Sequence, residues 1–238
     1  MEQEWNVSEK KRWAIVALFA AAMAWMESAT VVYLRLLAGR IDPHQATPLP
    51  LSAGLGQAEM IREAATLIML FAVGWLAGRT RRSRLGYSMI AFGIWDILYY
   101  VFLAIIGGWP HSVWDWDILF LLPLPWWGPV IAPVTIAAML IVGGTLVSQF
   151  DQPDRPVWPR RWAWGLNLIG VALALYVFMA DTIRAMFGGA ETVRAVLPTW
   201  FNWPLFIVAL VLMVAPIADV SRQIWKRSLI RYPRAETT

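Results

Sequence analysis

The 238-residue sequence contains no cysteine, only two histidines and few charged residues. Without cysteine the chain has neither a disulfide scaffold nor a thiolate-bound metal or iron–sulfur cluster. His44 and His111 are too few to supply the axial ligands of haem groups inside a helix bundle. Charged residues make up 15% of the chain, which is too little to solvate a disordered protein. We therefore expect a folded protein without haem or iron–sulfur cofactors.

Hydrophobic residues are abundant instead, at 59% of the chain, and the mean hydropathy is +0.54. A membrane core about 30 Å thick is crossed by about 20 apolar residues in helical conformation. Six runs of this length predict an all-α fold: one polytopic membrane helix bundle, a single integral membrane domain over residues 1–238. The predicted transmembrane helices cover residues 13–38, 57–78, 85–108, 128–148, 162–188 and 204–221.

Lysine and arginine are distributed unevenly among the segments that connect these runs. Fifteen lie in the terminal and connecting segments of one side, and five lie on the other side. Because positive charge near helix ends is retained in the cytoplasm, the N and C termini are both predicted to be cytoplasmic. The same basic segments explain the pI near 9.7, so we expect the lipid bilayer, and no nucleic acid, as a partner.

Two predicted external segments are longer than simple turns. Residues 39–56 contain three prolines and should be irregular. Residues 109–127 carry no lysine or arginine but include an apolar run, residues 118–122, before Pro123 and Pro125. We expect this second segment to form a short helix in the outer interface and then to fold over the mouth of the bundle as a lid.

Ionisable residues inside a membrane cost about 2.5–3.5 kcal/mol each on insertion scales, and here they concentrate in the middle and outer parts of the predicted helices. The simplest interpretation is one outward-facing pocket that binds a substrate or an ion. Its candidate residues are Glu27 and Arg35 in the first helix, Glu59, Arg62 and Glu63 in the second, Asp96, Tyr99 and Tyr100 in the third, Asp181 and Arg184 in the fifth, and Asp115 and Asp117 in the lid. Seven acids face three arginines, so about four carboxylates should hold protons or bind a cation.

A structural role is the simpler interpretation for part of this set. Asp181 and Arg184 are spaced to satisfy each other, Asp115 and Asp117 suit a hydrated loop, and Tyr99 and Tyr100 suit the membrane interface. Residues Glu59, Arg62 and Glu63 suit a solvated first helical turn. Glu27 and Asp96 are the strongest functional candidates, because both lie deep in a helix without a basic neighbour within one turn. Asp219, next to Arg222, is predicted to form an interfacial pair.

Motifs for several reaction classes are missing from the sequence. There is no His-Glu-x-x-His, no Gly-x-Ser-x-Gly and no Walker loop, so we expect no nucleotide cofactor, and the catalytic residues of any enzyme are unknown. An oxygen-only pocket would suit a divalent cation. The candidate metal ligands are Glu59, Glu63, Glu27 and Asp96.

Four stretches of sequence resemble a known group of proteins. They are residues 27–35, ESATVVYLR, residues 62–66, REAAT, residues 95–100, WDILYY, and residues 116–123, WDILFLLP. They look like the corresponding stretches of multi-pass bacterial inner-membrane proteins of uncharacterised function. The resemblance implies a location in a bacterial inner membrane. It also implies that the residues of these four stretches belong together as one set, but it implies no activity.

Three classes of function follow from these observations. The first is a transporter-like protein that exchanges protons, a cation or a small substrate while the lid controls access. The second is an integral-membrane enzyme that uses carboxylates as acid and base, or as metal ligands, on a lipid-soluble substrate. The third is an accessory subunit of a larger membrane complex. The sequence leaves open whether the chain forms a homo-oligomer.

Overall fold

The structure of the protein, a computed structural model, describes residues 8–37, 39, 42–44, 53–121, 124–152, 154–189, 192, 196–198 and 200–231. At residues 53–56 and 229–231 it describes the backbone alone. Most of the segment predicted to be irregular, residues 39–56, lies outside the described residues. So do Leu122 and Pro123 of the lid segment and two of the outer basic residues, Arg40 and Arg194.

Six helical segments are long and apolar enough to cross a membrane, as the sequence predicts. Helices α1 to α5 cover Glu9–Leu37, Ala53–Ala77, Arg81–Gly107, Ile131–Phe150 and Arg161–Ala185, and a 3₁₀ turn, Met186–Gly188, follows α5. The sixth segment consists of α6, Trp203–Met213, and α7, Ala215–Arg231. This architecture fits a multi-pass membrane protein.

Local sequence signals explain where several helices begin and end. Thr80 and Ser83 form a reciprocal capping box, in which each side chain accepts a hydrogen bond from the other residue's backbone N–H, so α3 begins earlier than predicted. Gly108 ends α3 in the left-handed region at φ 69°. The sixth segment is interrupted at Val214 because Pro216 has no N–H to donate to the preceding turn.

Helices α3 and α4 cross at close range because glycines face backbone atoms. A Cβ added to Gly93 would lie 2.6 Å from the carbonyl oxygen of Ala137. A Cβ added to Gly86 would lie 2.9 Å from the carbonyl oxygen of Gly144. Small residues commonly allow such approaches between membrane helices. The central α3–α4 pair lies between two larger buried clusters, one contributed by α1, α2 and α3 and the other by α4, α5 and α6.

The predicted lid segment contains a β-hairpin, and the expectation of a short helix there is wrong. Strands β1, Trp116–Phe120, and β2, Trp126–Pro129, pair antiparallel with Asp117 opposite Gly128, and the ladder is irregular between Ile118 and Phe120. Aromatic and β-branched residues favour extended backbone, and two prolines follow too soon for a helix to continue.

Three helices hold this hairpin by polar contacts. Arg35 Nη2 of α1 lies 2.9 Å from Asp117 Oδ1 on β1. The backbone N–H of Leu121, just after β1, donates to Glu63 of α2 at 3.1 Å. Thr182 of α5 donates its hydroxyl to the carbonyl oxygen of Pro125 at 2.7 Å. The hairpin therefore connects both halves of the bundle.

Candidate functional site

Glu27, Glu59 and Arg62 form an ion network between α1 and α2. Arg62 Nη1 donates to Glu27 Oε1, and Arg62 Nε and Nη2 both donate to Glu59 Oε2, at 3.0 and 2.7 Å. Thr66, one turn along α2, donates its hydroxyl to the other Glu27 oxygen at 3.1 Å. Glu27 is buried and has no basic neighbour within one turn of its own helix, so its charge is neutralised by Arg62 of the next helix.

Glu63 lies on the same face of α2 but has a different partner. Its Oε2 accepts the hydrogen bond from the Leu121 N–H, and it forms no ion pair with any described residue. Arg62 is near enough to interact with it electrostatically, although the ion pairs of Arg62 go to the other two acids. Glu63 therefore joins α2 to the hairpin by a hydrogen bond rather than by a charge pair.

Arg35 and Asp117 form a second ion pair at the outer end of α1. Asp117 is fully buried, and the Arg35 guanidinium also lies over the Trp109 ring, 4.4 Å from its centre. Burial raises the pKa of the Asp117 carboxyl, and the positive charge of Arg35 opposes that shift. The expectation of a hydrated loop at Asp117 is wrong, because the hairpin places this residue inside the protein.

Asp96 lies in the middle of α3 and is 6% exposed. Within the part of the chain that the structure describes, its Oδ2 has no hydrogen-bond partner. Tyr99 and Tyr100 follow on the same helix and pack edge to face, 5.1 Å between ring centres. Tyr99 is in electrostatic range of Arg62, Arg35, Asp117 and Asp96, so it is close to both ion networks. We call Glu27, Arg35, Glu59, Arg62, Glu63, Asp96, Tyr99, Tyr100 and Asp117 the acidic cluster.

Among the described residues, the buried side-chain nitrogen and oxygen atoms without a hydrogen-bond partner all belong to α3 or to the hairpin. They are Asp96 Oδ2 and Trp95 Nε1 in α3, and Asp117 Oδ2 and Trp126 Nε1 in the hairpin. An unsatisfied buried polar atom costs about 1–3 kcal/mol, so such atoms are rare and call for an explanation. The two carboxylate oxygens can each accept a proton, and the two indole N–H groups can each donate a hydrogen bond to a small polar ligand.

Three predicted site residues do not join the acidic cluster. Arg184 pairs with Asp181 at 2.9 Å on an accessible face of α5, where the Arg184 side chain is 65% exposed. Asp115 accepts hydrogen bonds from the backbone N–H groups of His111 and Ser112, at 2.7 and 3.2 Å, and so caps its own loop. The structure therefore does not bring Asp181, Arg184 and Asp115 into the acidic cluster, and each of them forms its polar contacts within its own segment.

The geometry also bears on the candidate metal ligands Glu27, Glu59, Glu63 and Asp96. Among the described residues, no three His, Asp or Glu side chains come together in a way that could hold a metal ion. Glu27 and Glu59 are both bound to Arg62, and Glu63 accepts a backbone hydrogen bond. Arginine therefore occupies the position between carboxylates that a cation would need.

Sequence reasoning missed several contacts of this region. Ser28 donates to the carbonyl oxygen of Tyr99 at 2.9 Å and joins α1 to α3, but a serine in an apolar helix carries no signal for that contact. The N–H of Leu121 reaches Glu63 only because the hairpin forms. At the other end of the molecule, Asp219 accepts from the Arg160 N–H and from Gln223 instead of pairing with Arg222 as predicted.

Comparisons with known proteins assign no family to this chain. It matches no protein-family model, no curated protein and no solved structure. The resemblance of its four sequence stretches to bacterial membrane proteins stays a prediction.

Proposed function

We propose that this protein is a transporter-like membrane protein whose acidic cluster takes up and releases protons together with a cation or small substrate. The observation that carries the proposal is Asp96, a carboxyl group in the middle of α3 that is 6% exposed and has an oxygen without a hydrogen-bond partner among the described residues. A buried carboxyl group without a counter-charge is most stable when it holds a proton. Such residues in membrane helices are commonly parts of proton relays.

The neighbours of Asp96 support proton exchange with the hairpin. Asp96 and Asp117 are near enough for their charges to interact, and Arg35 binds Asp117 at 2.9 Å. Ionisation of both aspartates at once would place two negative charges in a poorly solvated region beside one guanidinium. We propose that one proton is shared between Asp96 and Asp117, and that Arg35 favours the ionised form of Asp117.

The hairpin is the part of the site suited to controlling access, and we propose that it acts as a lid. Its contacts to Arg35 and Glu63 both involve carboxylates, so they depend on the protonation of Asp117 and Glu63. The fifteen-to-five distribution of lysine and arginine supports an orientation with this end facing outward and both termini in the cytoplasm.

The enzyme and subunit alternatives have less support. No described group of three acids or histidines is arranged around a metal, and the acids Glu27 and Glu59 are bound to Arg62. A subunit role predicts that the protein co-purifies with a fixed partner chain. A protein purified alone with full proton-transfer activity would exclude that role.

Infrared spectroscopy of the reconstituted protein tests the proton on Asp96 directly. A protonated carboxylic acid has a carbonyl stretch distinct from that of a carboxylate, and Asp96→Asn should remove one such band. Asp181→Asn is the matched control, because Asp181 lies outside the acidic cluster in a pair with Arg184. An identical spectrum for the wild type and Asp96→Asn would overturn the proton assignment.

A flux measurement tests transport itself. Proteoliposomes with a trapped pH dye and an imposed membrane potential should acidify faster than protein-free liposomes. Asp96→Asn should reduce the rate to the protein-free level, while Asp181→Asn should leave it unchanged. If all three proteins fail to exceed the protein-free rate under a proton gradient and under gradients of Na⁺ or K⁺, the transport proposal fails.

A further inference from the structure

A groove of about 310 Å³ lies between α3, α4, α5 and the α6–α7 segment, away from the acidic cluster. It is at the end of the molecule where α3 and α5 begin and α4 ends, which we call the basic end. Val147, Met213 and Val220 form a buried floor, whereas Leu85 at the rim is 38% exposed. The groove is therefore open to the surroundings of the bundle on one side.

The sequence explains why helices leave this space unfilled. Gly143 of α4 lines the groove without a side chain, and a Cβ there would only come into ordinary contact with Ile217 at 3.4 Å and Met89 at 3.5 Å. Pro216, which interrupts the sixth segment near Val214, also lines the groove. A missing side chain and a break in the helix thus coincide at one place.

The lining of the groove is suited to a hydrocarbon chain. Among its lining residues, only Asn167 and two tryptophans, Trp158 and Trp164, have a nitrogen or oxygen atom in the side chain. Three of the lining side chains are methionines, which are flexible and adapt to ligands of irregular shape. A polar or charged ligand would lose its hydration here without gaining hydrogen bonds.

The length of the groove corresponds to one leaflet of a bilayer. Along α4 it extends from Ile136 to Val147, and eleven residue steps at about 1.5 Å each span roughly 16 Å. Half of a hydrocarbon core about 30 Å thick is about 15 Å. Trp158 and Trp164 lie at the basic end of the groove, where an interfacial tryptophan is expected.

Positively charged residues lie at the same end of the groove and would favour a lipid with an anionic headgroup. Arg161 lies three residues before Trp164 on one face of α5, and Arg81 lies four residues before Leu85 on one face of α3. In the described part of the chain, neither arginine has an ion pair or a hydrogen bond from its side chain. The nearby acids Asp151 and Asp219 already accept hydrogen bonds from protein groups.

From these observations we infer that the groove binds one acyl chain of an anionic phospholipid, with the lipid phosphate at Arg161 and Arg81. The site is independent of the proposed transport function. It lies in the leaflet at the basic end, whereas the acidic cluster lies toward the other end of the bundle.

Native mass spectrometry of the full chain in detergent tests this inference, with phosphatidylglycerol and phosphatidylcholine of the same acyl chains as probes. The wild type should retain phosphatidylglycerol more tightly than phosphatidylcholine, by about fivefold for each arginine near the headgroup. Arg161→Gln combined with Arg81→Gln should remove that preference while leaving acyl-chain binding in place. Equal binding of both lipids by the wild type would overturn the headgroup assignment.

Filling the groove tests the acyl-chain site separately. Gly143→Leu should weaken the binding of both lipids, and Met139→Trp, which fills the groove from the same helix, serves if the leucine variant does not fold. Gly165→Leu is the matched control, because a Cβ at Gly165 meets nothing within 4 Å. Lipid binding that survives both filling variants would overturn the site. A wild-type dimer that Gly143→Leu dissociates would overturn it as well, since the groove would then be an interface between two copies.

Discussion

Arg62 of α2 binds two carboxylates at once, Glu27 across the helix interface and Glu59 on its own helix. The two acids are not equivalent. Glu27 has a side chain that is 9% exposed and a second hydrogen bond from Thr66, whereas Glu59 reaches Arg62 within one helical turn. Arg62 is therefore the residue that allows an acid to be buried in the middle of α1.

We expect Arg62→Gln to destabilise the protein by roughly 3–5 kcal/mol, because it leaves Glu27 buried without a counter-charge. Glu59→Gln should cost much less, since the Arg62–Glu27 pair is retained. Chemical unfolding of the detergent-solubilised variants measures both effects. The double variant Glu27→Gln/Arg62→Gln should recover part of the loss. Equal stability of Arg62→Gln and Glu59→Gln would contradict this assignment.

Asp117 should make stability depend on pH. Burial raises its pKa in the folded protein, so the folded state binds this proton more tightly than the unfolded state does. The stabilisation from the protonated group is complete below the unfolded pKa of about 3.9 and is lost as the pH rises through the higher folded value. Unfolding followed at increasing pH from about 4 should show a steeper loss of stability for the wild type than for Asp117→Asn. Parallel pH profiles would show that Asp117 does not titrate in this range.

The helical part of the fold is predictable from the sequence because the signal extends over long stretches. Each predicted transmembrane helix has about 20 apolar residues, which is the length that crosses the hydrocarbon core. A helix is favoured there because it satisfies its own backbone hydrogen bonds without water. The hairpin is not predictable in this way. The segment 116–129 is short and rich in aromatic and apolar residues, and this composition suits both an interfacial helix and a pair of strands. The structure has a pair of strands, and Trp126 of β2 stacks on Phe178 of α5.

The acidic cluster is predictable in part, because the cost of burying charge identifies residues one by one. Glu27, Arg62 and Asp96 stand out in the sequence for that reason. The ion-pair partner of each buried residue is not predictable in this way, since it depends on how the helices and the hairpin pack together. The Arg62–Glu27 pair spans 35 residues and the Arg35–Asp117 pair spans 82, and one sequence gives no spacing rule for either.

Close packing of α3 against α4 should be sensitive to Gly93. A Cβ at this position would lie 2.6 Å from the Ala137 carbonyl oxygen, and backbone atoms cannot rotate away as a side chain can. We expect Gly93→Leu to cost at least about 1–3 kcal/mol of stability through overpacking. Thermal unfolding in detergent measures this loss of stability. Gly165→Leu, on the open face of α5, is the control. A Gly93→Leu protein as stable as that control would mean that the two helices are less closely packed than this distance indicates.

Asp151 should be as important for stability as any residue of the acidic cluster, although it lies in a short loop at the basic end. Its side chain is fully buried and accepts hydrogen bonds from the Thr80 hydroxyl at 2.6 Å, the Arg82 guanidinium at 2.8 Å and the Val157 N–H at 3.0 Å. It thereby joins the start of α3 to the loop between α4 and α5.

Removing that carboxylate should leave Arg82 without its ion-pair partner. The Thr80 hydroxyl and the Val157 N–H would also lose their hydrogen-bond acceptor. We expect Asp151→Ala to lower the free energy of unfolding by roughly 3–5 kcal/mol. The neighbouring Asp154→Ala should change it by less than about 0.5 kcal/mol, because Asp154 is exposed. Unfolding of both variants in the same detergent gives the comparison. If the two aspartates prove equally dispensable, the loop is not held by Asp151, and the start of α3 is fixed by the Thr80–Ser83 capping box alone.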